Sequence, residues 1–533
     1  MDKKSGVYYY LTDNSIRPSG SSNFGGAVLM FTSKGPIGEM ITVTASNREE
    51  KLGVAMVGDD FDMTSEYMGL DAMLSAVARL DVLRMNVDPL VGYAAYGKDG
   101  VRLDEDDLGG VTSGGDFESL IDGDELSGFF AVHKDPGYWG DRAIKISRAE
   151  KKADQNDADV PYVLEYFEVD GVRNTRLQRN EFVLGADGTF AGGFGEILFH
   201  VDDKTILEKV MSVPVEKDED DGYDSDGNPK TKKVVVGHET AILYFVAGSN
   251  GAYDELNASK LKRQLAPLEL TGANVVVMNG ITEDAGHISS VIEFCEKLDQ
   301  SVLFDVESVG RDGPVSAQEC IDWMSNVGSS QYAQGVALRD VKKIPGYGEA
   351  VIYPSVFLFM VYANMFRNYG HVCYPPAGPY ASVSASNMEK SDFHLWGDDL
   401  KTARINYLAK TPQGICIFEQ RTKYSLGGSD LSYANTVYIL RDLKGRILDF
   451  MNNFTFRYAT PSDLGIIQSG LSLILSGFVR NGFLVNYKLE VPSYAEAQAA
   501  GRELDINIGV SVVSDMEVIN LRVGLYSAAE LRA

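Results

Sequence analysis

Residues 460–491 decide the fold of the C-terminal part of this chain, and they read TPSDLGIIQSGLSLILSGFVRNGFLVNYKLEV. Thr460 is a favourable helix N-cap, Pro461 suits the first helical position, and an acidic residue follows in the first turn. Apolar residues then recur at helical spacing, at Leu464, Ile467, Leu471, Ile474 and Phe478. Asn481-Gly482 ends the pattern, and an alternating stretch follows. The segment predicts an amphipathic helix that leads into a strand.

A second helix and two further strands flank this segment. Residues 435–453 carry apolar residues at helical spacing, namely Val437, Leu440, Leu443, Ile447 and Met451. Residues 506–512 and 518–525 alternate between apolar and polar side chains. In the last stretch one face carries Ile519, Leu521, Val523 and Leu525. We predict a compact α+β module with strands at its extreme end.

The N-terminal half of the chain alternates strand and helix patterns. Residues 27–31 form an apolar strand pattern, and a helix capped by Thr64 or Ser65 carries Tyr67, Leu70, Leu74 and Val77 on one face. Residues 80–85 return as a strand, so we predict a strand–helix–strand crossover. The alternation resumes later, with strands predicted at 241–246, 275–278, 302–304 and 351–361 and helices at 286–298 and 316–326. The apolar run 350–366, broken by Pro354 and Asn364, is read as a buried strand or core helix rather than a membrane span.

Residues 100–240 differ in character from the segments on either side. They are rich in Gly, Asp and Glu, and their apolar runs are short, which predicts an antiparallel β insertion. The acidic loop 218–227 suggests a calcium site, but EF-hand spacing fails because Gly222 and Lys233 stand at the first and twelfth ligand positions. A solvated hairpin tip is the favoured interpretation.

The composition limits the classes of function. The chain has 533 residues, a hydrophobic content of 44%, a net charge of -27 and a pI near 4.6. Several domains are therefore expected, and both nucleic acid and anionic membrane surfaces are unlikely partners of so acidic a protein. The charge is uneven, since residues 401–533 carry 14 Lys and Arg against 12 Asp and Glu, a net of +2, which leaves -29 for the other 400 residues. Two explanations stay open: a near-neutral module that packs against protein while the acidic part is solvated, or acidic loops that cluster in the longer part of the chain.

Cysteine usage and the first residues predict the compartment. Cys295, Cys320, Cys373 and Cys416 form no CxxC pair, which fits a protein without disulfides in a reducing environment. No apolar stretch follows the first charged residues, so no signal peptide is expected. We expect a soluble protein that folds in a cytoplasm.

Motifs of catalysis are missing from the sequence. It contains no Walker A pattern, no Gly-rich dinucleotide fingerprint and no G-x-S-x-G elbow. Its histidines are never closer than 23 residues, so no local metal motif can be built from His133, His200, His238, His287, His371 and His394. We expect no cofactor, no metal and no enzymatic activity. A hydrolase whose site is assembled from distant residues is the remote alternative.

The two ends of the chain suggest self-assembly. Residues 7–11, Val7, Tyr8, Tyr9, Tyr10 and Leu11, have strand character and precede a flexible break, and the chain ends in another strand pattern. Each end could join the sheet edge of another subunit and satisfy its backbone groups there. Alternatively, both ends pair within one chain. The residues alone do not separate these two possibilities.

The order of several motifs resembles that of the contractile tail sheath proteins of bacteriophages and related injection machines. The motifs that carry the resemblance are, in chain order, Gly6-Val7-Tyr8 with Asp13-Asn14-Ser15, Ala27-Val28 with Lys34-Gly35-Pro36, Val82-Leu83-Arg84, Pro136-Gly137-Tyr138-Trp139-Gly140-Asp141, Tyr374-Pro375-Pro376-Ala377-Gly378, Ala500-Gly501-Arg502 and Glu517-Val518-Ile519. The sequence departs from the family where Tyr10 and Leu11 replace an acidic residue, where Asp141 replaces Asn, and where Phe456-Arg457-Tyr458 replaces the usual Phe-Glu-Pro-Asn. The acidic stretch 218–227 is particular to this chain.

The resemblance implies a structural role. Sheath subunits form stacked six-membered rings around a tail tube, lend terminal strands to neighbouring copies, and contract on a signal from the baseplate. This implies as partners further copies of the chain, the tail tube protein, and baseplate and tail terminator proteins, in a virion tail assembled in the host cytoplasm. The sheath of a phage-derived tailocin or other contractile injection system is the alternative. Some relatives have a subtilisin-like outer domain, but no catalytic triad is evident in this sequence, so no protease activity is expected.

The predicted architecture is a multidomain α/β and α+β protein. We assign an N-terminal arm (1–20), a discontinuous outer α/β domain (21–99 and 241–380), a β-rich insertion domain (100–240), a C-terminal inner domain that faces the tube (381–515) and a C-terminal arm (516–533). The resemblance assigns inter-subunit strand exchange to Val7, Tyr8, Tyr9, Tyr10, Leu11, Val518, Ile519, Leu521, Val523 and Leu525. Basic residues that could face an acidic tube are Arg480, Lys488 and Arg502, although surface solvation is the favoured explanation for each of them.

Overall fold

A computed structural model describes most of the chain between residues 25 and 514, and the chain divides into two compact units. One unit is Ala27–Thr271, and the other contains Gly272 and the described residues after it. The described ranges are 25–55, 63–86, 90–97, 102–103, 128–134, 142–151, 156, 160–169, 174–195, 197–223, 229–249, 258–281, 284–307, 314–344, 348–412, 414–426, 429–457 and 460–514.

The first unit begins with the predicted crossover. Its elements are β1 (Gly26–Met30), β2 (Met40–Val43), α1 (Arg48–Leu52), α2 (Thr64–Ala76) and β3 (Leu80–Arg84). Strands β1 and β3 are parallel, with Val28 opposite Val82, and β2 pairs antiparallel with β3. Parallel neighbours require a crossover, and α2 lies in that connection, which confirms the prediction. The predicted cap is wrong, because Thr64 is the first helical residue and the N-cap is Met63, which makes no side-chain capping bond.

Antiparallel strands make up most of the rest of this unit, as predicted for the insertion. They form sheets of order β14-β4-β5-β10-β9 and β13-β6-β7-β8 and a separate β11-β12 ribbon. Their cores contain Phe129, Tyr162, Phe182 and Phe199. The elements are β4 (Leu90–Gly97), β5 (Gly128–His133), β6 (Arg142–Arg148), β7 (Tyr162–Val169), β8 (Asn174–Phe182), β9 (Phe190–Phe194), β10 (Ile197–Val201), α3 (Lys204–Val210), β11 (Ser212–Tyr223), β12 (Pro229–Thr240), β13 (Ile242–Tyr244), β14 (Val246–Ser249) and α4 (Ala258–Gln264).

Two sequence predictions change in detail here. The strand predicted at 241–246 is two strands, and both join the antiparallel sheets, since β13 pairs with β6 and β14 with β4. The acidic stretch 218–227 begins within β11, which pairs with β12 as a hairpin up to Tyr223 opposite Pro229. Residues 224–228 lie outside the described residues, so the calcium alternative stays untested.

The second unit contains a mainly parallel sheet of order β15-β16-β17-β20-β21, in which β21 alone is antiparallel to its neighbour. Helices α5 and α7 pack on β16, and the helices predicted at 286–298 and 316–326 are confirmed. The elements are β15 (Val275–Met278), α5 (Ala285–Lys297), β16 (Ser301–Asp305), α6 (Ala317–Ser325), β17 (Ala333–Ala337), β18 (Asp340–Ile344), β19 (Gly348–Ile352), α7 (Pro354–Tyr369), α8 (Gly397–Thr402), β20 (Ile405–Thr411) and β21 (Gly414–Phe418).

The strand predicted at 351–361 is wrong beyond residue 352, whereas the alternative of a core helix in the run 350–366 is confirmed from Pro354 onward. A helix, α7, begins at Pro354, which occupies its first turn, and ends at Gly370 with a left-handed φ of 73°. Ten of its sixteen residues are buried, including polar Ser355. A helix buried on nearly every side has no amphipathic stripe, so its apolar run resembles a buried strand.

The described C-terminal elements agree with their sequence patterns, apart from a short helix at Tyr494–Ala500 that the sequence analysis did not predict. They are α9 (Ala434–Met451), α10 (Pro461–Arg480), β22 (Leu484–Glu490), α11 (Tyr494–Ala500) and β23 (Asn507–Val512), which we call the C-terminal module. The strands predicted at 7–11 and 518–525 lie outside the described residues. The domain boundaries predicted from the sequence remain predictions.

Candidate assembly interface in the C-terminal module

Helices α9 and α10 form a helical hairpin with a shared apolar core. Its fully buried members are Ile439, Leu443, Ile447, Ile467, Leu471, Leu475 and Phe478. The helices approach closely at Gly470, where an added Cβ would lie 2.2 Å from a ring atom of Phe450. The hairpin therefore depends on a residue without a side chain at this point.

The residues from which the sequence analysis predicted the two ends of α10 do cap the helix in the structure. The Asp463 amide donates to Thr460 Oγ1 at 3.2 Å, and the Thr460 hydroxyl donates to an Asp463 carboxylate oxygen at 2.5 Å. Pro461 occupies the first helical position, and Gly482 turns the chain with φ 78° into β22. These local bonds set where the helix starts and where the next strand begins.

Strands β22 and β23 form a two-stranded antiparallel sheet, with Tyr487 opposite Val510 and Leu489 opposite Ile508. Leu484 is buried against the helical hairpin and the other inner side chains are only partly buried, whereas Lys488, Glu490 and Asn507 lie on the exposed face. Within the described residues each strand pairs only with the other, so both outer edges lack a neighbouring strand. An isolated two-stranded sheet is only marginally stable in water. The unpaired backbone amides and carbonyls at an open edge can form hydrogen bonds with a further strand.

A short helix closes the connection between these strands. In α11, Ser493 and Glu496 form a capping box, in which the Ser493 amide donates to Glu496 at 2.8 Å and the Glu496 amide donates to Ser493 Oγ at 3.4 Å. The first backbone amides of α11 are therefore satisfied by side chains within the connection itself.

Buried charged groups anchor α9 to the mainly parallel sheet. Lys444 Nζ donates to Asp299 Oδ2 at 2.5 Å, and the two side chains are 2% and 5% exposed. Arg441 donates to Ser301 Oγ at 2.6 Å and to the Asn274 carbonyl oxygen at 3.4 Å. Burial lowers the pKa of Lys444, and the Asp299 carboxylate partly opposes that shift. The network joins α9 to residues at the start of β16 and just before β15.

The three basic residues proposed to face a tube lie on different elements, and all are exposed. Arg480 is the last residue of α10, Lys488 lies on β22, and Arg502 follows α11. Lys488 Nζ lies 2.5 Å from Glu490 Oε1, and this hydrogen bond raises the pKa of the lysine. Their contact with a tube stays a prediction. The ten residues predicted to exchange strands all lie outside the described residues, so that prediction is untested as well.

The sequence analysis missed part of the surface of α10. The predicted apolar stripe is correct for its buried face, although Leu475 belongs to the core and Ile474 is only partly buried. On the other side, Ile466 is 50% exposed and Leu473 is 71% exposed. The sequence did contain a signal for this exposed apolar surface, because the run from Leu464 to Val479 has no charged residue apart from none but polar and apolar ones. A helix with a single buried face normally carries charged residues on its other face.

One cluster of ionisable groups, around Cys373, bears on the enzyme alternative. Cys373 Sγ lies 4.0 Å from Asp442 Oδ2, and its amide donates to His371 Nδ1 at 3.2 Å. This thiol is 2% exposed, and burial raises its pKa, which opposes the thiolate that a nucleophile needs. Among the described residues, no group of three His, Cys, Asp or Glu side chains could hold a metal ion.

A perturbed carboxylate has a structural explanation. Burial raises the pKa of Asp305 to about 7. Its two carboxyl oxygens accept hydrogen bonds from the Ser355 amide at 2.7 Å and from the Ser355 hydroxyl at 2.9 Å. Asp305 therefore provides an acceptor for one of the first amides of α7, which have no partner within the helix. The geometry assigns Asp305 to the attachment of this helix.

Comparison with solved structures identifies the fold. The sheath tail protein from Desulfitobacterium hafniense matches with a TM-score of 0.53 at 12% identity, over 91% of this chain and 93% of that chain. The sheath tail protein Lin1278 from Listeria innocua matches with a TM-score of 0.53 at 9% identity, over 92% and 96%. A contracted-state sheath complex of an extracellular contractile injection system shares less, with a TM-score of 0.41 at 16% identity over 51% and 76%. No protein-family model and no curated protein matches the sequence. With two matches that each extend over nine-tenths of both chains, this chain has the fold of the sheath tail proteins.

Proposed function

We propose that this chain is the structural subunit of a contractile tail sheath. Copies polymerise as stacked six-membered rings around a tail tube, and contraction drives the tube through the host envelope to deliver the genome. The observation that carries the proposal is the sheath tail protein fold, aligned over 91% of this chain and 93% of the matched one. The partners are other copies, the tail tube protein, and baseplate and terminator proteins, in a virion tail assembled in the host cytoplasm. The role needs no catalysis and no cofactor.

Strand exchange is the proposed link between copies. The two outer edges of the β22–β23 sheet support it, because each could pair with a strand from a neighbouring copy. Added strands would form hydrogen bonds with the unpaired backbone groups at the edges. They would also cover partly buried residues such as Ile508 and Val510. Residues 7–11 and 518–525 are the proposed donors.

Contraction is proposed to keep each subunit nearly rigid and to change the contacts between subunits. The buried contact of Lys444 with Asp299 supports this, since it attaches α9 of the C-terminal module to a residue just before β16 through a pair shielded from water. Free energy stored on assembly would then be released as new contacts form between copies.

A terminal deletion tests the proposal. The chain that lacks residues 1–20 is expected to give the circular dichroism spectrum of a folded protein and to remain unpolymerised in negative-stain micrographs, whereas the full chain forms tubes. The same deletion with normal tubes would overturn strand exchange. A full chain that stays monomeric at high concentration would overturn the sheath assignment.

The tube contact of Arg480, Lys488 and Arg502 is tested by charge reversal. Arg480→Glu is the sharpest variant, because Lys488 is already paired with Glu490. We expect reduced binding of purified tube protein and unchanged polymerisation. Normal binding by all three reversed variants would remove these residues from the tube contact.

A further inference from the structure

Two partly exposed cations lie at the end of the mainly parallel sheet where β17 and β20 begin. Arg404 immediately precedes β20, and Gly335 of β17 is opposite Ile405, so the starts of these two strands are adjacent. The Lys423 amide donates to the carbonyl oxygen of Ala333, the first residue of β17, at 2.8 Å. The backbone therefore brings Arg404 and Lys423, which are 19 positions apart in the sequence, to the same end of the sheet.

A third cation at this end, Arg421, already has partners within the chain. Its amide donates to Asn406 Oδ1, in the second residue of β20, at 2.6 Å. Its side chain is buried, with Nε 3.3 Å from Glu419 Oε2 and the guanidinium carbon 4.1 Å from the centre of the Tyr433 ring. A carboxylate and an aromatic face thus compensate the charge of Arg421.

Arg404 and Lys423 lack this compensation. Among the described residues, neither side chain forms an ion pair with a carboxylate, although both are partly buried. Burial and the positive charge of Arg421 lower the pKa of Arg404, and burial and the positive charge of Arg404 lower the pKa of Lys423. Neighbouring like charges that are partly removed from water destabilise the fold, and a bound anion would reduce this cost.

We infer that Arg404 and Lys423 form a binding site for an oxyanion, which is either a phosphate ion or a carboxylate group. A guanidinium and an ammonium offer only hydrogen-bond donors, and their strongest hydrogen bonds are those with such charged oxygens. Partial exposure of both side chains gives an anion access from solution. Arg404 and Glu419 also have left-handed backbone, with φ of 68° and 65°, a costly conformation for these residue types that clusters at ligand sites.

Calorimetric titration of the full chain with inorganic phosphate, at constant ionic strength in chloride buffer, tests the site. We expect saturable binding with a Kd of about 1 mM. The double variant Arg404→Gln/Lys423→Gln should bind at least about tenfold more weakly, because it loses two charge-assisted hydrogen bonds. No saturable binding by the parent chain would overturn the inference.

A matched control removes the same total charge elsewhere. Lys297→Gln/Lys343→Gln replaces two lysines that are 65% and 79% exposed, and phosphate binding should change by less than about threefold. Equal weakening by both double variants would mean that phosphate responds only to net charge, which contradicts a site at Arg404 and Lys423.

Urea unfolding in buffer without phosphate checks that the variant remains folded. Because Arg404→Gln/Lys423→Gln removes a repulsion between like charges, the unfolding midpoint should not fall below that of the parent chain. A large fall would show that the two cations stabilise the chain through internal contacts, and it would also overturn the inference.

Sedimentation velocity distinguishes the two sources of the oxyanion. If the ligand is a carboxylate of another copy, Arg404→Gln/Lys423→Gln should self-associate more weakly than the control variant, and phosphate should compete with assembly of the parent chain. If the ligand is free phosphate, only the calorimetric binding is lost. The binding site is formed within one chain, so the inference does not rest on the proposed function. Phosphate binding without tubes in micrographs would keep the site and reject the sheath, whereas tubes without phosphate binding would keep the sheath and reject the site.

Discussion

The contact between Lys444 and Asp299 supports a prediction about stability. Both side chains are almost fully buried, and Nζ lies 2.5 Å from Oδ2. Asp299→Asn keeps the shape of the side chain and tolerates the positive φ of 59° at this position. It leaves the Lys444 ammonium buried without its carboxylate. Loss of one member of a buried pair costs about 3–5 kcal/mol, so we expect a fall of that size in the free energy of unfolding.

Removing the second charge should restore most of the loss. In the double variant Asp299→Asn/Lys444→Met the buried ammonium is gone, and only the longer contact of Arg441 with Asp299, at 3.9 Å, remains without its carboxylate. The free energy of unfolding should therefore lie within about 1–2 kcal/mol of the parent. The two changes would therefore be strongly non-additive. Lys297→Met is the matched control, since Lys297 and Glu293 form an exposed pair, 65% and 59% exposed, whose loss should cost less than about 1 kcal/mol.

Urea unfolding of the full chain, followed by tryptophan fluorescence and circular dichroism, measures these differences. Trp323 packs near Phe304 of β16 and reports on the sheet to which α9 is anchored. A cost below about 1 kcal/mol for Asp299→Asn, or additive effects in the double variant, would refute the reasoning that this contact couples the module to the sheet.

Three further predictions concern single positions. Thr460→Ala removes the N-cap of α10 and should lower the free energy of unfolding by about 1 kcal/mol in urea titrations, whereas Thr460→Ser should be neutral; equal losses would contradict the capping role. Gly470→Val should cost about 1–3 kcal/mol because its side chain meets Phe450, and the added change Phe450→Leu should recover part of it; no recovery would place the strain elsewhere. Asp305, with a pKa of about 7 against about 4 when unfolded, holds more protons in the native state between these values, so stability should fall as the pH rises from about 4 to 7 and level off above; an Asp305→Asn variant with the same pH slope would contradict this.

Local signals in the sequence predicted the elements whose ends are encoded nearby. Thr460-Pro461 and Asn481-Gly482 mark α10 because each residue acts on its own turn of backbone. The apolar segment after Pro354 failed because a helix buried on nearly all sides loses its periodicity. Its neighbours in space, which decide between helix and strand, are not adjacent in the sequence.

The candidate interface was only partly predictable for a related reason. Lys444 and Asp299 are 145 residues apart, and no spacing rule connects them. The exposed side of α10 could not be separated from its core side without the fold, since Leu473 and Leu475 are equally apolar and only one is buried. The open edges of β22 and β23 likewise become evident only once their pairing is known.

A cryo-electron microscopy reconstruction of the assembled protein, at a resolution that shows side chains, tests the central claim most directly. The account predicts a helical tube in which strands from other copies, traced to residues 7–11 and 518–525, lie beside β22 and β23. Termini that pair within their own chain, or an assembly in which the outer edges of both strands face solvent, would contradict it.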